Sequence, residues 1–527
     1  MKHHTVLVTD SIAQSGLDLL KASPGIELHY RPGLAGEELL SAVRESDALI
    51  TRSGTAVTHE LVNAGSRLRI VGRAGVGLDN VDVEAATERG ILVINAPTAN
   101  ILSATEHTMA MLLSLCRNIP EAHASTRRGE WTRSKFMGIE LNGKTLGIIG
   151  LGRIGTRVTT RARAFGMRVI AYDPYIAASV GEKVGAEMVS FDRLLGSADV
   201  ITVHTPMTDE TRNMIRAPQI EAMRDGVILV NCARGGIYNE VDLAAALTTG
   251  KVGGAAIDVY EEEPPAGSPL LVAPNIILSP HIGANTIEAQ DRVAVQTAEM
   301  VVEALNGSIF VSAVNLPFEG LSDSNAAPMI SLAEKLGLFA AQLLSAPVTR
   351  ASIELWGIEE RLTKILSVAA LKGLFTPYLT DTVNYVNAES IAQNRGVEIS
   401  STLHPTPVDY NNLVTFRVSS EDEEVSVSAT LFSEKNQRVV SVNEFRVEFK
   451  PEGYHIYMVN KDVPGVVGKV GTILGDRDIN IAEYNLARAV EGGLAMAIIT
   501  IDSPLDPETL SFLRSFKEMQ EVKLIKL

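Results

Sequence analysis

Cysteine is nearly absent: Cys116 and Cys232 are the two in 527 residues, far apart, with no CxxC pair and no cluster of histidine and cysteine around either. That excludes a disulfide-stapled scaffold and a structural zinc site, and it predicts two buried free thiols in a reducing compartment. No metal site is expected. Long apolar runs are missing too, since the stretch from Ile101 to Cys116 is broken by Glu106 and His107 and no window reaches the roughly 20 residues a spanning helix needs. The opening MKHHTVLVTD has no basic segment followed by a long apolar one, so no secretory leader is expected and the chain reads as soluble and cytoplasmic. Positive charge is in deficit, 47 Lys and Arg against 63 Asp and Glu, a net −16. A field of that sign opposes nucleic acid and anionic membranes, so an anionic substrate must be held by local cations.

What the chain does have is length and glycine. At 527 residues it exceeds one hydrophobic core, and 42 glycines against 22 prolines suit many tight turns between strands and helices. From residue 5 to about 97, apolar runs (TVLVTD, DALITRSG, RLRIVGRAG, ILVINAP) alternate with helix-like spacers such as 12–21. A second series runs through TLGIIG, RVIAYD, DVITVHTP, GVILVNCARG, GGAAIDVY and NIILSPHIG. Both predict parallel sheets covered by helices, with ligands outside the carboxyl ends of the strands. The segment 286–305 is predicted to return the chain to the first unit. Beyond Asn315-Leu316-Pro317 the pattern changes to helices over 329–344, 358–371 and 389–393, then the strand runs NNLVTFRVSS, EEVSVSATLF and VVSVNEFRVEFK. The last 75 or so residues read as βαββαβ.

The sharpest local signal is Gly150-Leu151-Gly152-Arg153-Ile154-Gly155, a GxGxxG between a strand and a helix, with Asp173 closing the next strand about 20 residues on. Glycines admit a pyrophosphate to the helix N-terminus, and the carboxylate takes ribose hydroxyls while repelling the extra phosphate of NADP. The expected cofactor is NAD. Arg234, Glu263 and His281 lie at or just past the ends of later strands. Together they suit oxidation of a 2-hydroxy acid: a guanidinium for the carboxylate, a base for the hydroxyl proton and an acid that orients the base.

The segments GRAGVGLDNVD (72–82), GLGRIG (150–155), HTPMTDETRNMI (204–215), NCARGGIYNE (231–240), DVYEEEPP (258–265) and SPHIGANTIEAQ (279–290) resemble the D-isomer-specific 2-hydroxyacid dehydrogenases, and within them the long-form branch that acts on D-3-phosphoglycerate. The resemblance spans essentially the whole chain. It implies two doubly wound, Rossmann-like parallel-sheet domains, a substrate-binding one (1–98 and 287–316) and an NAD-binding one (99–286). An α+β intervening domain (317–451) and a βαββαβ ACT domain (453–527) would follow. It implies His281 as acid/base, Glu263 as its partner through its place before Pro264-Pro265, and Arg234 as carboxylate anchor. Arg153 and Ile154 would cover the pyrophosphate, and Thr205, Cys232, Ala233, Gly283 and Ala284 would line the cofactor path. Asp258 would hold the nicotinamide amide.

For the substrate, Arg52, Ser53 and Gly54, Arg73, and the backbone of Val76 and Gly77 are implied. Trp131 to Lys135 is similar to a segment that reaches a neighbouring subunit, or else forms a plain dimer contact. Asp462 and Asn480 match effector positions for L-serine, although Asn460 and Lys461 stand where some relatives carry an aromatic residue. An ACT module serving oligomerisation alone is the other reading. Lys364, Lys372 and Arg395 form either an anion site or solvated helix faces. The resemblance implies a homotetramer that oxidises D-3-phosphoglycerate to 3-phosphohydroxypyruvate, the first step of L-serine synthesis. The rivals are a reductase of glyoxylate, hydroxypyruvate or another 2-keto acid, and a non-enzymatic nicotinamide-sensing regulator.

Overall fold

A computed structural model describes residues 3–308, 313–318, 326–379, 383–406, 409–433, 436–488, 490 and 492–527. Residues 1 and 2, where the expectation of no leader begins, lie outside them.

The first sheet holds β1 (His4–Val8), β2 (Ile26–Tyr30), β3 (Ala48–Thr51), β4 (Ile70–Arg73) and β5 (Leu92–Asn95) in the order β2-β1-β3-β4-β5, all parallel. Its inner strands are apolar throughout because both faces are covered: Val6, Val8 and Ile50 pack on one side, Leu7, Leu49 and Val71 on the other. The edge strand β2 was not expected from the sequence; it carries polar residues at alternate positions and is largely exposed. The helix Ile287–Leu305 packs back onto this sheet. A Cβ on Gly72 of β4 would lie 2.9 Å from Val301 and 3.0 Å from Thr297, so the helix sits directly on the strand.

The second sheet holds β6 (Thr145–Ile149), β7 (Arg168–Tyr172), β8 (Glu187–Met188), β9 (Val200–Val203), β10 (Val227–Asn231), β11 (Val252–Ile257) and β12 (Ile276–Leu278), again parallel, in the order β12-β11-β10-β9-β6-β7-β8. The chain leaves β6 toward β7 and returns on the other side at β9. That reversal opens a crevice at the carboxyl ends of β6 and β9. The helix Ile101–Cys116 lies between the two units in sequence and packs against the helix Arg153–Ala164 and against β11.

The third sheet is mixed: β13 (Arg350–Trp356), β14 (Glu398–His404), β15 (Leu413–Ser419), β16 (Glu424–Leu431), β17 (Gln437–Val442) and β18 (Phe445–Phe449), ordered β14-β13-β15-β16-β17-β18 with one parallel pair, β13 and β14. Two corrections arise here. β13 and β14 were not expected, and the run VVSVNEFRVEFK is two strands rather than one, because Asn443 takes φ +50° and turns the chain. The helix expected over 358–371 is Thr363–Phe375. The fourth sheet, β19 (Tyr454–Lys461), β20 (Ile481–Arg488), β21 (Leu494–Ile501) and β22 (Met519–Lys526), is antiparallel in the order β20-β21-β19-β22. The helices Val466–Gly475 and Pro507–Arg514 complete the expected βαββαβ order.

One face of the fourth sheet, with Ile456, Met458 and Ile499, covers its own helices. The other, with Tyr457, Val459, Met496 and Ile498, joins the core of the third unit around Phe339 and Phe449. The last two units therefore share one core. In it the helices Ala327–Leu343 and Thr363–Phe375 touch backbone to backbone: a Cβ on Gly337 would lie 1.9 Å from the Ala370 carbonyl oxygen, and one on Gly373 1.9 Å from that of Glu334. Gly373→Ala must push these helices apart. We expect it to destabilise the C-terminal half by about 1–3 kcal/mol, read as a lowered calorimetric transition with NADH binding retained.

Candidate active site

At the end of β6 the backbone turns at Gly150 with φ +91°, where a Cβ would lie 2.7 Å from the His204 carbonyl oxygen past β9. Gly155 lets the helix Arg153–Ala164 pack on the strand end, since a Cβ there would lie 2.2 Å from the Gly150 carbonyl oxygen. At Gly152, just before that helix, an added Cβ would meet nothing within 4 Å. The first N–H groups of a twelve-residue helix thus open onto free space, a geometry suited to phosphate oxygens. Arg153 is exposed there and Ile154 half-buried. Asp173, past β7, accepts from the Leu151 and Tyr175 N–H groups, both at 2.9 Å, and so ties the glycine turn to the neighbouring strand. The Thr205 hydroxyl is buried without a partner among the described residues. An orphaned hydroxyl, an open helix N-terminus and a carboxylate on the next strand fit a bound dinucleotide.

Past β10 the chain folds on Asn231, whose side chain accepts from Ala233 N–H (3.0 Å) and donates to the Arg234 carbonyl (2.9 Å). Ala233 and Arg234 are half-buried, and Cys232 is buried against Thr108 and Asp258, with burial first among the causes that push its thiol up to about 12. Both cysteines are free and buried, as expected. A Cβ on Gly235 would fall 1.7 Å from the Tyr260 carbonyl oxygen, so the loop carrying Arg234 is pressed onto the one carrying Glu263.

His281 Nδ1 lies 2.7 Å from Glu263 Oε2, and Glu263 Oε1 accepts the Tyr260 N–H at 3.2 Å. The two side chains are 48% and 38% exposed, so the pair faces open space with His281 Nε2 turned away from Glu263. His281 has φ +51°, costly for a residue with a side chain. The turn is held by Asp258, fully buried after β11. Its carbonyl accepts from His281 N–H (2.9 Å), and its carboxylate accepts from Ile282 N–H (2.9 Å), Gly283 N–H (2.8 Å) and the Ser279 hydroxyl (2.6 Å). Burial alone would raise the Asp258 carboxyl, but hydrogen bonds from His107, Ser279 and Ile282 outweigh it and hold it below the ordinary carboxylate value. Its stabilising contribution is therefore present above the ordinary value and lost as pH falls through the lowered one. Ala284, half-buried, follows the turn.

The first sheet supplies the facing side. Asp10, just past β1, accepts from the Arg52 and Thr55 N–H groups (2.5 and 3.1 Å) and the Thr51 and Thr55 hydroxyls (both 3.0 Å). Asn80 donates to the Arg52 and Thr55 carbonyls (2.5 and 2.6 Å). Arg52-Ser53-Gly54 is thereby a fixed loop. Arg73 folds over Gly75, its Nε buried and unpartnered among the described residues. Burial, with Arg52 and Arg234 near, draws its guanidinium below the ordinary arginine value against the opposing effects of Asp79 and Asp10. Arg52, Arg73 and Arg234, from two different sheets, thus share one field. Gly77 meets Arg234, whose Nη2 is 3.1 Å from a Cβ built there, and the Val76 carbonyl accepts from Asn95 at 2.6 Å. Asp10, Asn80, Asn95 and Asn231 escaped the sequence reading. Asp10, Asn95 and Asn231 are marked by position at or just past a strand end, and Asn80, in the turn after β4, by nothing local.

Other expected residues do not assemble. Asp462 accepts from Arg488 and Gly492 N–H (both 3.3 Å) and Asn480 donates to Asp502 (2.7 Å). The two stand at opposite ends of the fourth sheet. Both β19 and β20 run antiparallel to β21, and Asp462 follows the end of one while Asn480 precedes the start of the other. Lys364 is paired to Glu389 (2.5 Å), Lys372 is part-buried on Glu334 (2.6 Å) and the Tyr385 ring, and Arg395 is exposed, so the three do not form an open cationic cluster. Trp131 is 80% exposed beside the short turn Arg133–Phe136.

Residues 109–283 match the family model for the NAD binding domain of D-isomer specific 2-hydroxyacid dehydrogenases, and residues 325–443 match the D-3-phosphoglycerate dehydrogenase intervening domain. The D-3-phosphoglycerate dehydrogenase of Bacillus subtilis is 41% identical over 524 residues, 99% of either chain; that of Archaeoglobus fulgidus is 41% identical over 510 residues, 96% of either. The chain belongs to the D-3-phosphoglycerate dehydrogenase family. Among solved structures, a glyoxylate reductase from Paecilomyes thermophila (31% identity, TM-score 0.55) covers 60% of this chain and 99% of its own. The NAD-dependent formate dehydrogenase of Staphylococcus aureus, solved with NAD (32%, TM-score 0.51), covers 58% of this chain and 96% of its own.

The glycine turn is the most direct handle on the cofactor. Gly150→Ala puts a methyl group against the His204 carbonyl in a left-handed backbone. We expect NADH affinity, titrated by fluorescence, to fall about tenfold or more while circular dichroism stays that of the native protein.

Proposed function

We propose that this protein is an NAD-dependent oxidoreductase that converts D-3-phosphoglycerate to 3-phosphohydroxypyruvate in the cytoplasm, opening L-serine synthesis. The observation that carries the reading is the His281–Glu263 pair on a loop pressed against the one that carries Arg234, with Arg73 and Arg52 of the first sheet in the same field as Arg234. NAD supplies the acceptor for the hydride leaving C2 of the substrate. Gly150, Gly152 and the helix start would hold its pyrophosphate and Asp173 its adenosine ribose, with the Thr205 hydroxyl free along the path. Cys232, Ala233, Gly283 and Ala284 would line the same path, and Asp258 would hold the nicotinamide amide.

Arg234 pairs with the substrate carboxylate as a fork and holds the C2 oxygen toward His281. His281 Nε2 takes the hydroxyl proton as the C–H bond breaks, and the Glu263 carboxylate on Nδ1 orients the ring and stabilises the imidazolium that forms. Arg52 and Arg73, with the Ser53, Gly54, Val76 and Gly77 backbone, neutralise the substrate phosphate. Closure of the two sheet units over the substrate excludes water before transfer.

A homotetramer is proposed from the family resemblance, and the exposed Trp131 to Lys135 segment is a candidate contact with a neighbouring subunit. L-serine is proposed as effector at Asp462 and Asn480. Their separation in one chain supports a site built between two copies, and binding there would bias the closure equilibrium.

The test is NADH absorbance with 3-phosphohydroxypyruvate beside glyoxylate, hydroxypyruvate and NADPH, with and without L-serine. We expect turnover confined to the phosphorylated substrate with NADH and slowed by serine. Turnover on the small keto acids alone would make the protein a reductase, and none on any would favour a nicotinamide-sensing regulator. His281→Ala should lower kcat about 10²–10⁴-fold with NADH affinity retained; partner-dependent function surviving that change would also favour the regulator.

A further inference from the structure

His107 interrupts the apolar run of the helix Ile101–Cys116, and its side chain is 17% exposed. Its Nε2 lies 3.2 Å from Asp258 Oδ1 and 3.3 Å from the Ser279 hydroxyl oxygen. A carboxylate only accepts, so Nε2 carries the proton and donates. Among the described residues it is the one donor to the Asp258 carboxylate from outside the second sheet's own strand ends. The others are the Ser279 hydroxyl and the Ile282 and Gly283 N–H groups, all within or beside the turn that carries His281. Gly283 approaches so closely that a Cβ there would lie 3.1 Å from Asp258 Oδ2 and 3.6 Å from His107 Cδ2.

We propose that His107 is a positioning residue for the reaction: it fixes the Asp258 carboxylate, and through Asp258 it holds the left-handed turn that presents His281 to the substrate. This rests on the reading of His281 as acid/base. The same helix meets the segment after that turn again through the Ser103 and Thr286 hydroxyls, 2.7 Å apart. The helix also packs on the helix Arg153–Ala164 and on β11, so His107 is seated on an element held from outside the turn it supports.

The role has a pH signature. The other titratable groups facing Asp258 are Cys232 and Tyr260, each pushed up to about 12 with burial the largest cause, so both stay neutral across the working range. His107 is then the partner whose loss matters. Without its donor Asp258 takes up a proton more readily, and the acid side of the activity profile moves to higher pH.

The experiment follows reduction of 3-phosphohydroxypyruvate at saturating NADH from pH 5 to pH 9. In that direction His281 donates a proton, so its own protonation does not produce a loss on the acid side. We expect His107→Phe to lower kcat several-fold and to move the acid limb of its profile up by about one to two pH units, so that the loss is largest at the acid end of the range and smallest at pH 9. His107→Gln, whose amide nitrogen can stand where Nε2 stood, should restore most of the loss. Wild-type kcat at all pH values in His107→Phe would overturn the proposal. So would an equal loss at every pH in both variants that tracks a lowered melting temperature, since that is the mark of packing alone. If His107→Phe does not fold, His107→Gln and Ser279→Ala decide: an acid-side loss in Ser279→Ala with little in His107→Gln supports the proposal, and flat profiles in both overturn it. The wild-type rate on 3-phosphohydroxypyruvate in the same series separates failure of this inference from failure of the functional reading.

Discussion

Three aspartates at strand ends hold the site together. Asp10 follows β1, Asp173 follows β7 and Asp258 follows β11, and each spends its carboxylate on backbone N–H groups of a loop at the carboxyl edge of a sheet. A parallel sheet delivers all its carboxyl ends to one edge, but the loops leaving that edge have no ladder partners and would be free to move. A carboxylate accepting two or more N–H bonds supplies those partners, and each charge-assisted bond contributes about 1.5–3 kcal/mol. That is enough to keep His281 at a positive φ that costs about 1–2 kcal/mol.

The arrangement explains how two sheets with separate cores make one site. The first sheet contributes Arg52 and Arg73, the second Arg234 and the His281–Glu263 pair. Burial first, and then Arg52 and Arg234, draw the Arg73 guanidinium down, with Asp79 and Asp10 offsetting part of the effect. Such a cluster in a chain of net charge −16 is an unfavourable concentration of like charge that an anionic substrate relieves. The acidic surface and the cationic cleft are two sides of one design: the general field repels polyanions, and the local field selects a small one.

Much of this was legible in the sequence because each element left a local mark. Continuous apolar runs ending in small or polar residues marked the parallel strands, and GLGRIG with Asp173 marked the cradle. The positions of Arg234, Glu263 and His281 at strand ends placed them on the ligand edge. What escaped had no local mark. Asp10 is one aspartate before a serine, and His107 reads as a break in an apolar helix until the fold brings Asp258 beside it. β14 was missed because EISSTLH is polar at five of its seven positions, whereas RASIELW in β13 does alternate polar and apolar residues and was legible as a strand. The separation of Asp462 from Asn480 follows from strand direction, which spacing along the chain does not encode.

The central claim is that strand-end carboxylates hold the reactive loops in place before any ligand arrives. Hydrogen exchange at the amides of Arg52, Thr55, Ile282 and Gly283 in cofactor-free protein tests it most directly, since all four donate to Asp10 or Asp258. The account predicts protection comparable to that of the adjoining strands β3 and β11. Exchange at the rate of exposed loops, slowing only when NAD and substrate are added, would contradict it and make the site one that ligands assemble.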